Sequence, residues 1–242
     1  MRLRALVLVL AGAVLLAGCS APLPGGPART EAVELQSGDV TLTGILEVPA
    51  LQLGERVPLA ILMHGWTGWN DDAHLKRGAE QLAAVGIASL RVNFTGHGTS
   101  GGDVADMRSA VPVELEDTQV IYDFARGLDF VTDISLVGYS LGGLVASVFA
   151  GEHPDNISAL VLLAPAPPYG VYSPAYQAAE QFDGPVLILQ GDSDELVTVQ
   201  VAERYLRAFE GGELRILEHE NHAFTYGTDI EGMTVDFLLA NS

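Results

Sequence analysis

At 242 residues with a single cysteine, the chain is long enough for one domain to bury roughly 70% of its unfolded surface without disulfide staples. Its 31 acidic residues outnumber 12 basic ones, a formal net charge of −19, and lysine occurs once, at Lys76. A surface of that sign has little with which to neutralise phosphates, which excludes nucleic acid and polyanionic partners.

Arg2 and Arg4 precede an apolar run at 5–16, too short to span a bilayer but the length of a secretory h-region. It ends in Leu16-Ala17-Gly18-Cys19, which resembles the lipobox of bacterial lipoproteins. The resemblance implies cleavage before Cys19, lipid such as palmitate on its sulfur, and export to the cell envelope, on the cell membrane or the outer membrane. Losing Arg2 and Arg4 leaves 10 basic residues against 31 acidic, a net of −21. Residues 20–30, SAPLPGGPART, read as a Pro/Gly linker of about 30 Å. The expected organisation is therefore a signal peptide at 1–18, a lipid-anchored linker at 19–30 and one domain at 31–242.

The segment 40–48, VTLTGILEV, alternates apolar and polar residues as an antiparallel edge strand does. Apolar runs follow at 59–63, 87–92, 134–137, 159–163, 186–189 and 214–217. Most are continuous, the pattern of strands covered on both faces. Helical periodicity occupies 75–85, 114–130, 141–153, 199–209 and a last stretch ending near Leu239. Alternating strands and helices predict an α/β domain with a mostly parallel sheet flanked by helices. In such sheets the chemistry collects in loops at the carboxyl ends of the strands.

One of those loops is Gly138-Tyr139-Ser140-Leu141-Gly142, a G-x-S-x-G between a predicted strand and a predicted helix. That is the setting of a nucleophile elbow, whose serine sits in a strained conformation at the apex. A serine hydroxyl needs a base, and the base an orienting carboxylate. The loop after 186–189, QGDSDELV, offers Asp192, Asp194 and Glu195; the loop after 214–217 offers His219 and His222. Asp192 lies close to the strand end, where an Asx side chain holds its own turn, so Asp194 is favoured, with Asp192 its rival. His222, deeper in its loop and followed by apolar Ala223-Phe224, is favoured over His219. An oxyanion needs donors already in place. The amides of Leu141, directly after the serine, and of Trp66, in HGWTGW after 59–63, are the candidates, with His64 bracing that loop. His219-Glu220-Asn221-His222 is one residue short of H-E-x-x-H and lacks a third ligand, so no metal is expected. Neither G-x-G-x-x-G nor a P-loop occurs, and no cofactor is expected.

With those residues in view, the chain resembles an α/β-hydrolase, and within that group the cinnamoyl (feruloyl) esterase type. The resemblance is carried by His64-Gly65-Trp66-Thr67-Gly68, SLRVNFTGHGTSGGD at 89–103, the elbow segment, FDGPVLILQGDSDELV and ENHAF. It implies Ser140, Asp194 and His222 as a triad, the Trp66 and Leu141 amides as oxyanion donors, and a structural His97. It also implies a serine esterase acting on a small-molecule ester. One departure stands out: only 165–183 joins two strands where that branch carries a long inserted lid, so an open site is expected. Trp66, Trp69, Phe94, Tyr139, Tyr169, Tyr172 and Phe224 are candidates for an apolar acyl groove, about half of them expected in the core. A peptidase of the prolyl oligopeptidase type and a non-catalytic surface binding protein are the alternatives on this fold.

Overall fold

Residues 25–168 and 175–242 are described by a computed structural model. Cys19 and Tyr169 and Tyr172 fall outside them. Among the described residues the strands are β1 (Arg29–Ser37), β2 (Val40–Val48), β3 (Val57–Met63), β4 (Ala88–Val92), β5 (Val131–Tyr139), β6 (Leu160–Leu163), β7 (Val186–Gly191) and β8 (Glu213–Leu217). The helices are α1 (Ala73–Ala84), α2 (Met107–Arg126), α3 (Leu141–Glu152), α4 (Ala175–Ala179), α5 (Val199–Ala208) and α6 (Ile230–Ala240). The strands form one sheet in the order β1-β2-β4-β3-β5-β6-β7-β8. Only the β1–β2 and β2–β4 pairings are antiparallel. Every pairing from β4 to β8 is parallel.

Strand β3 illustrates why the central runs carry no alternation. Leu59, Ile61 and Met63 belong to a core shared with α2, α3, α4 and α5. Ala60 and Leu62 face the opposite way, into a second core closed by α1 and α6. Both faces are dry, so apolar residues are favoured at every position, each fully buried leucine contributing roughly 2 kcal/mol. No helix among the described residues is long and apolar enough to cross a membrane.

Three features depart from the sequence reading. The 40–48 segment is not at the edge: β1 pairs along its whole length, from Arg29↔Val48 to Ser37↔Val40. β1 is mostly exposed, so it lacks the apolar signal that marks the others, and it takes in Arg29 and Thr30 from the expected linker. Helix α2 starts at Met107, seven residues before the predicted 114 (114 − 107 = 7). Asp106 caps it, accepting from the Arg108 and Ser109 amides at 3.0 and 2.9 Å. Pro112 lies inside the helix and forgoes one backbone hydrogen bond without ending it. Finally, the 165–183 connection contains α4, which packs against α3 and α5 rather than over the sheet end. At Gly151 of α3 a Cβ would collide with the α4 backbone, so the two helices meet backbone to backbone there.

Candidate active site

Ser140 stands alone between β5 and α3 with φ 51° and ψ −112°, in a region that non-glycine residues rarely adopt. The surroundings hold it there. Its amide donates to the Leu163 carbonyl at 2.9 Å. Its carbonyl accepts from the amides of Gly143, Leu144 and Ala166 at 3.0, 3.2 and 2.8 Å. The flanking glycines are required by close approach: a Cβ on Gly142 would lie 2.5 Å from the His64 carbonyl oxygen, and one on Gly138 would meet the Gly142 backbone.

His222 is carried by the loop between β8 and α6, Asp194 by the loop between β7 and α5. The Ser140 hydroxyl donates to His222 Nε2 at 3.0 Å, and His222 Nδ1–H donates to Asp194 Oδ2 at 2.7 Å. Residues separated by 28 and 82 positions thus meet at the carboxyl end of the sheet. Asp194 is 6% exposed. Burial pushes its carboxyl pKa up, but hydrogen bonds from His222, Val197 and Leu196 outweigh that and hold it below the ordinary value. The Leu196 and Val197 amides both reach Oδ1 at 2.8 Å. Gln190, fully buried at the end of β7, donates to Oδ2 at 3.1 Å and to the Val197 carbonyl at 2.9 Å. Sequence reasoning gives Gln190 no role; a buried amide at a strand end is the one signal for it.

The rival residues do other work. Asp192 Oδ1 accepts from the His219 amide at 2.8 Å, and His219 is exposed with φ 65°. Glu220, between the two histidines, is fully buried, and its carboxylate accepts from the amides of Tyr226 and Thr228 at 3.0 and 2.8 Å. No group of His, Cys, Asp and Glu among the described residues could hold a metal ion.

His64 is 1% exposed; Nδ1–H donates to the Gly65 carbonyl at 2.8 Å and Nε2 accepts from the Phe94 amide at 3.1 Å. Burial, with His97 beside it, lowers its pKa to about 4, so it is a neutral brace. His97 Nε2–H donates to the Trp66 carbonyl at 2.7 Å, and the two rings meet edge to face at 5.4 Å. The Trp66 carbonyl is thereby anchored by His97, and the peptide that carries the Trp66 amide is held through the Gly65 carbonyl by His64. Leu141 is the first residue of α3, where an amide has no intrahelical acceptor and the helix dipole favours negative charge.

A pocket of about 280 Å³ opens beside Ser140 and His222, walled by Gly65, Trp66, Thr67, Tyr139, Met107, Ala166, Leu196 and Val197. Of the expected aromatic residues, Trp66 and Tyr139 line it; Phe94 and Phe224 are buried in the core, and Trp69 is half exposed. Met107 escaped sequence reasoning because the start of α2 did, and Leu196 is an exposed loop leucine with no pattern around it.

The family described as serine aminopeptidase, S33 (Hydrolase_4) matches residues 54–178, about half of the chain. A pimeloyl-[acyl-carrier protein] methyl ester esterase of Chromobacterium violaceum is 34% identical over 110 residues, 46% of this chain and 38% of that protein. A putative esterase, NocK, of Nocardia uniformis is 28% identical over 152 residues, 61% of this chain and 42% of that one. The chain thus spans less than half the length of these two curated relatives. Among solved structures, Est1E from Butyrivibrio proteoclasticus with ferulic acid bound superposes with a TM-score of 0.78 at 25% identity, over 87% of this chain and 99% of that one.

Proposed function

The chain belongs to the Hydrolase_4 family (serine aminopeptidase, S33), and on that premise we propose that it cleaves carboxylic esters of small molecules with Ser140 as nucleophile. The observation that carries this reading is the unbroken hydrogen-bonded run from Asp194 through His222 to Ser140 on the wall of a pocket. Ser140 Oγ attacks the ester carbonyl carbon while its proton passes to His222 Nε2. The carbonyl oxygen takes the negative charge and is held by the Trp66 and Leu141 amides. When the tetrahedral species collapses, the bond to the alcohol oxygen breaks and that oxygen takes the proton from His222. The acyl group remains on Ser140 until water attacks its carbonyl carbon and gives a proton to His222; the bond to Oγ then breaks, Oγ takes that proton back from His222, and the acid leaves. Asp194 keeps the imidazole in the tautomer whose Nε2 is free, and stabilises the charged form.

At water's ~30 Å³ per molecule, 280 Å³ corresponds to about nine non-hydrogen atoms, which suits a short-chain or single-ring aryl acyl group. The test is hydrolysis of an ester panel from acetate to long acyl, methyl ferulate included, by the wild type and Ser140→Ala. The reading requires the variant to lose nearly all turnover at an unchanged melting temperature; retained turnover refutes it. A peptidase reading draws on the description of the family itself. Aminoacyl p-nitroanilides hydrolysed faster than the matching esters favour it.

The N-terminal residues supply the setting of this proposal. Lipid on Cys19 would hold the domain at the cell envelope, a reading that rests on Leu16-Ala17-Gly18-Cys19 alone. Labelled palmitate that enters the wild type but not Cys19→Ala supports it, and equal labelling of both rejects it.

A further inference from the structure

Helices α1 and α6 pack side by side on one face of the sheet, and between them lies a charged cluster that the proposed reaction does not use. His74, at the second position of α1, places Nδ1 2.8 Å from Glu231 Oε1 of α6. Arg77 reaches the same oxygen through Nε at 2.9 Å and Nη2 at 2.7 Å. The other imidazole nitrogen points out of the cluster: Nε2–H donates to the Ala223 carbonyl at 2.7 Å. Ala223 directly follows His222. We infer that His74 is a positioning residue for His222, fixing from α1 the carbonyl of Ala223 in the loop that carries the proposed base; this rests on the reading of Ser140 and His222 above.

The loop needs outside support because its backbone is strained at both ends. His219 has φ 65° and Phe224 φ 48°, each a non-glycine residue in the left-handed region and each costing on the order of 1 kcal/mol or more. Between those corners the two consecutive carbonyls are bonded from other elements: that of His222 accepts from the Tyr139 hydroxyl at 3.2 Å, that of Ala223 from His74. Without the second tether the 223–224 peptide is held only from within its own loop, by the Phe224 amide donating to the Asn221 carbonyl at 3.1 Å. The imidazole before it then loses the alignment that gives a 3.0 Å contact to Ser140 and a 2.7 Å contact to Asp194.

The tether survives a change of protonation. As imidazolium, His74 donates to Glu231 and to Ala223 at once, and the hydrogen bond to Glu231 is the main reason its pKa is raised. As the neutral ring it keeps the hydrogen on Nε2, because Arg77 Nη2 lies 2.8 Å from Nδ1 and donates to it. The charged groups facing it are Glu231 from α6, Arg77 within α1, Asp72 at the cap, and Glu220 in the His222 loop. None of them competes for Nε2.

The experiment compares His74→Phe, which keeps a ring and removes the donor, with His74→Gln, which restores an N–H of similar reach. A misaligned base costs turnover rather than binding. His74→Phe should therefore lower kcat for p-nitrophenyl acetate roughly ten- to hundredfold with KM within about twofold. His74→Gln should recover most of it, and fluorophosphonate labelling of Ser140 should slow in step with kcat. His74→Ala replaces the Phe variant if that one does not fold. Unchanged kcat in His74→Phe, or a Gln variant as poor as the Phe variant at an equally lowered melting temperature, overturns the inference. Ser140→Ala run alongside separates the two layers: turnover that survives it overturns the site reading itself, and the inference with it.

Discussion

Replacing Glu114 by glutamine should make the protein more stable at neutral pH, although it removes a native charge. Glu114 is 1% exposed on α2, and its Oε2 has no hydrogen-bond partner. Burial, followed by the nearby charge of Asp117, raises its pKa from 4.5 to about 8. Asp117 keeps its own charge engaged, accepting from the Thr95 amide and hydroxyl at 2.8 and 3.2 Å. Because the native pKa exceeds the unfolded one, the contribution of Glu114 is fully present below about pH 4.5 and is lost as pH rises to about 8. At pH 7 the unfolded chain has released this proton over roughly 2.5 pH units while the native chain keeps it. At ~1.4 kcal/mol per unit that is a loss of about 3 kcal/mol. Glutamine has no proton to lose, and its amide can donate to Asp117. Urea unfolding of both proteins at pH 5 and pH 8 reads the effect, since the two chains differ at this one side chain. The gap in unfolding free energy should widen in favour of Glu114→Gln by about 3 kcal/mol between those pH values. Parallel stability curves would mean that the carboxyl ionises normally and that its burial is tolerated some other way.

Two further changes test the packing around the site. Gly78 lies in the middle of α1, and a Cβ there meets nothing within 4 Å, beside a cavity of about 20 Å³. Gly78→Ala should add about 0.5–1 kcal/mol and raise the melting temperature by roughly 2–3 °C, measured by calorimetry. Arg91, 2% exposed on β4, pairs with Glu47 Oε1 of β2 at 2.5 Å and donates to the Asn70 carbonyl in the loop that follows β3. Glu47→Ala leaves that buried guanidinium with only the exposed Asp71 carboxylate, 3.8 Å from Nη1, as counter-charge and should cost about 3 kcal/mol in chemical denaturation, whereas Glu47→Leu with Arg91→Met should recover most of the loss.

The parts legible from sequence are those where a local rule demands a particular residue. Ser140 is one, because the turn that lifts it tolerates only glycine at 138 and 142. Asp194 and His222 follow from their loops, since each comes after an apolar run whose carboxyl end lies at the same end of the sheet as that of β5, two and three strands away. The illegible parts depend on partners far away in the chain. β1 has no apolar face to betray it and exists because β2 is there to pair with. The start of α2 is masked by Pro112, which argues against a helix that Asp106 nonetheless caps. His74 and Glu231 are separated by 157 positions and have no motif. Only the packing of α1 on α6 joins them, and neither helix advertises that contact in its periodicity.

The central claim is that Ser140 is made nucleophilic by His222, with Asp194 behind it. The most direct measurement is the rate at which a fluorophosphonate modifies the folded protein, with the adduct located by mass spectrometry. One adduct should form at Ser140. Its rate should fall by orders of magnitude in His222→Ala and Asp194→Asn and stay at the wild-type level in Asp192→Asn. An unmodified Ser140, or a rate indifferent to His222, would contradict the account.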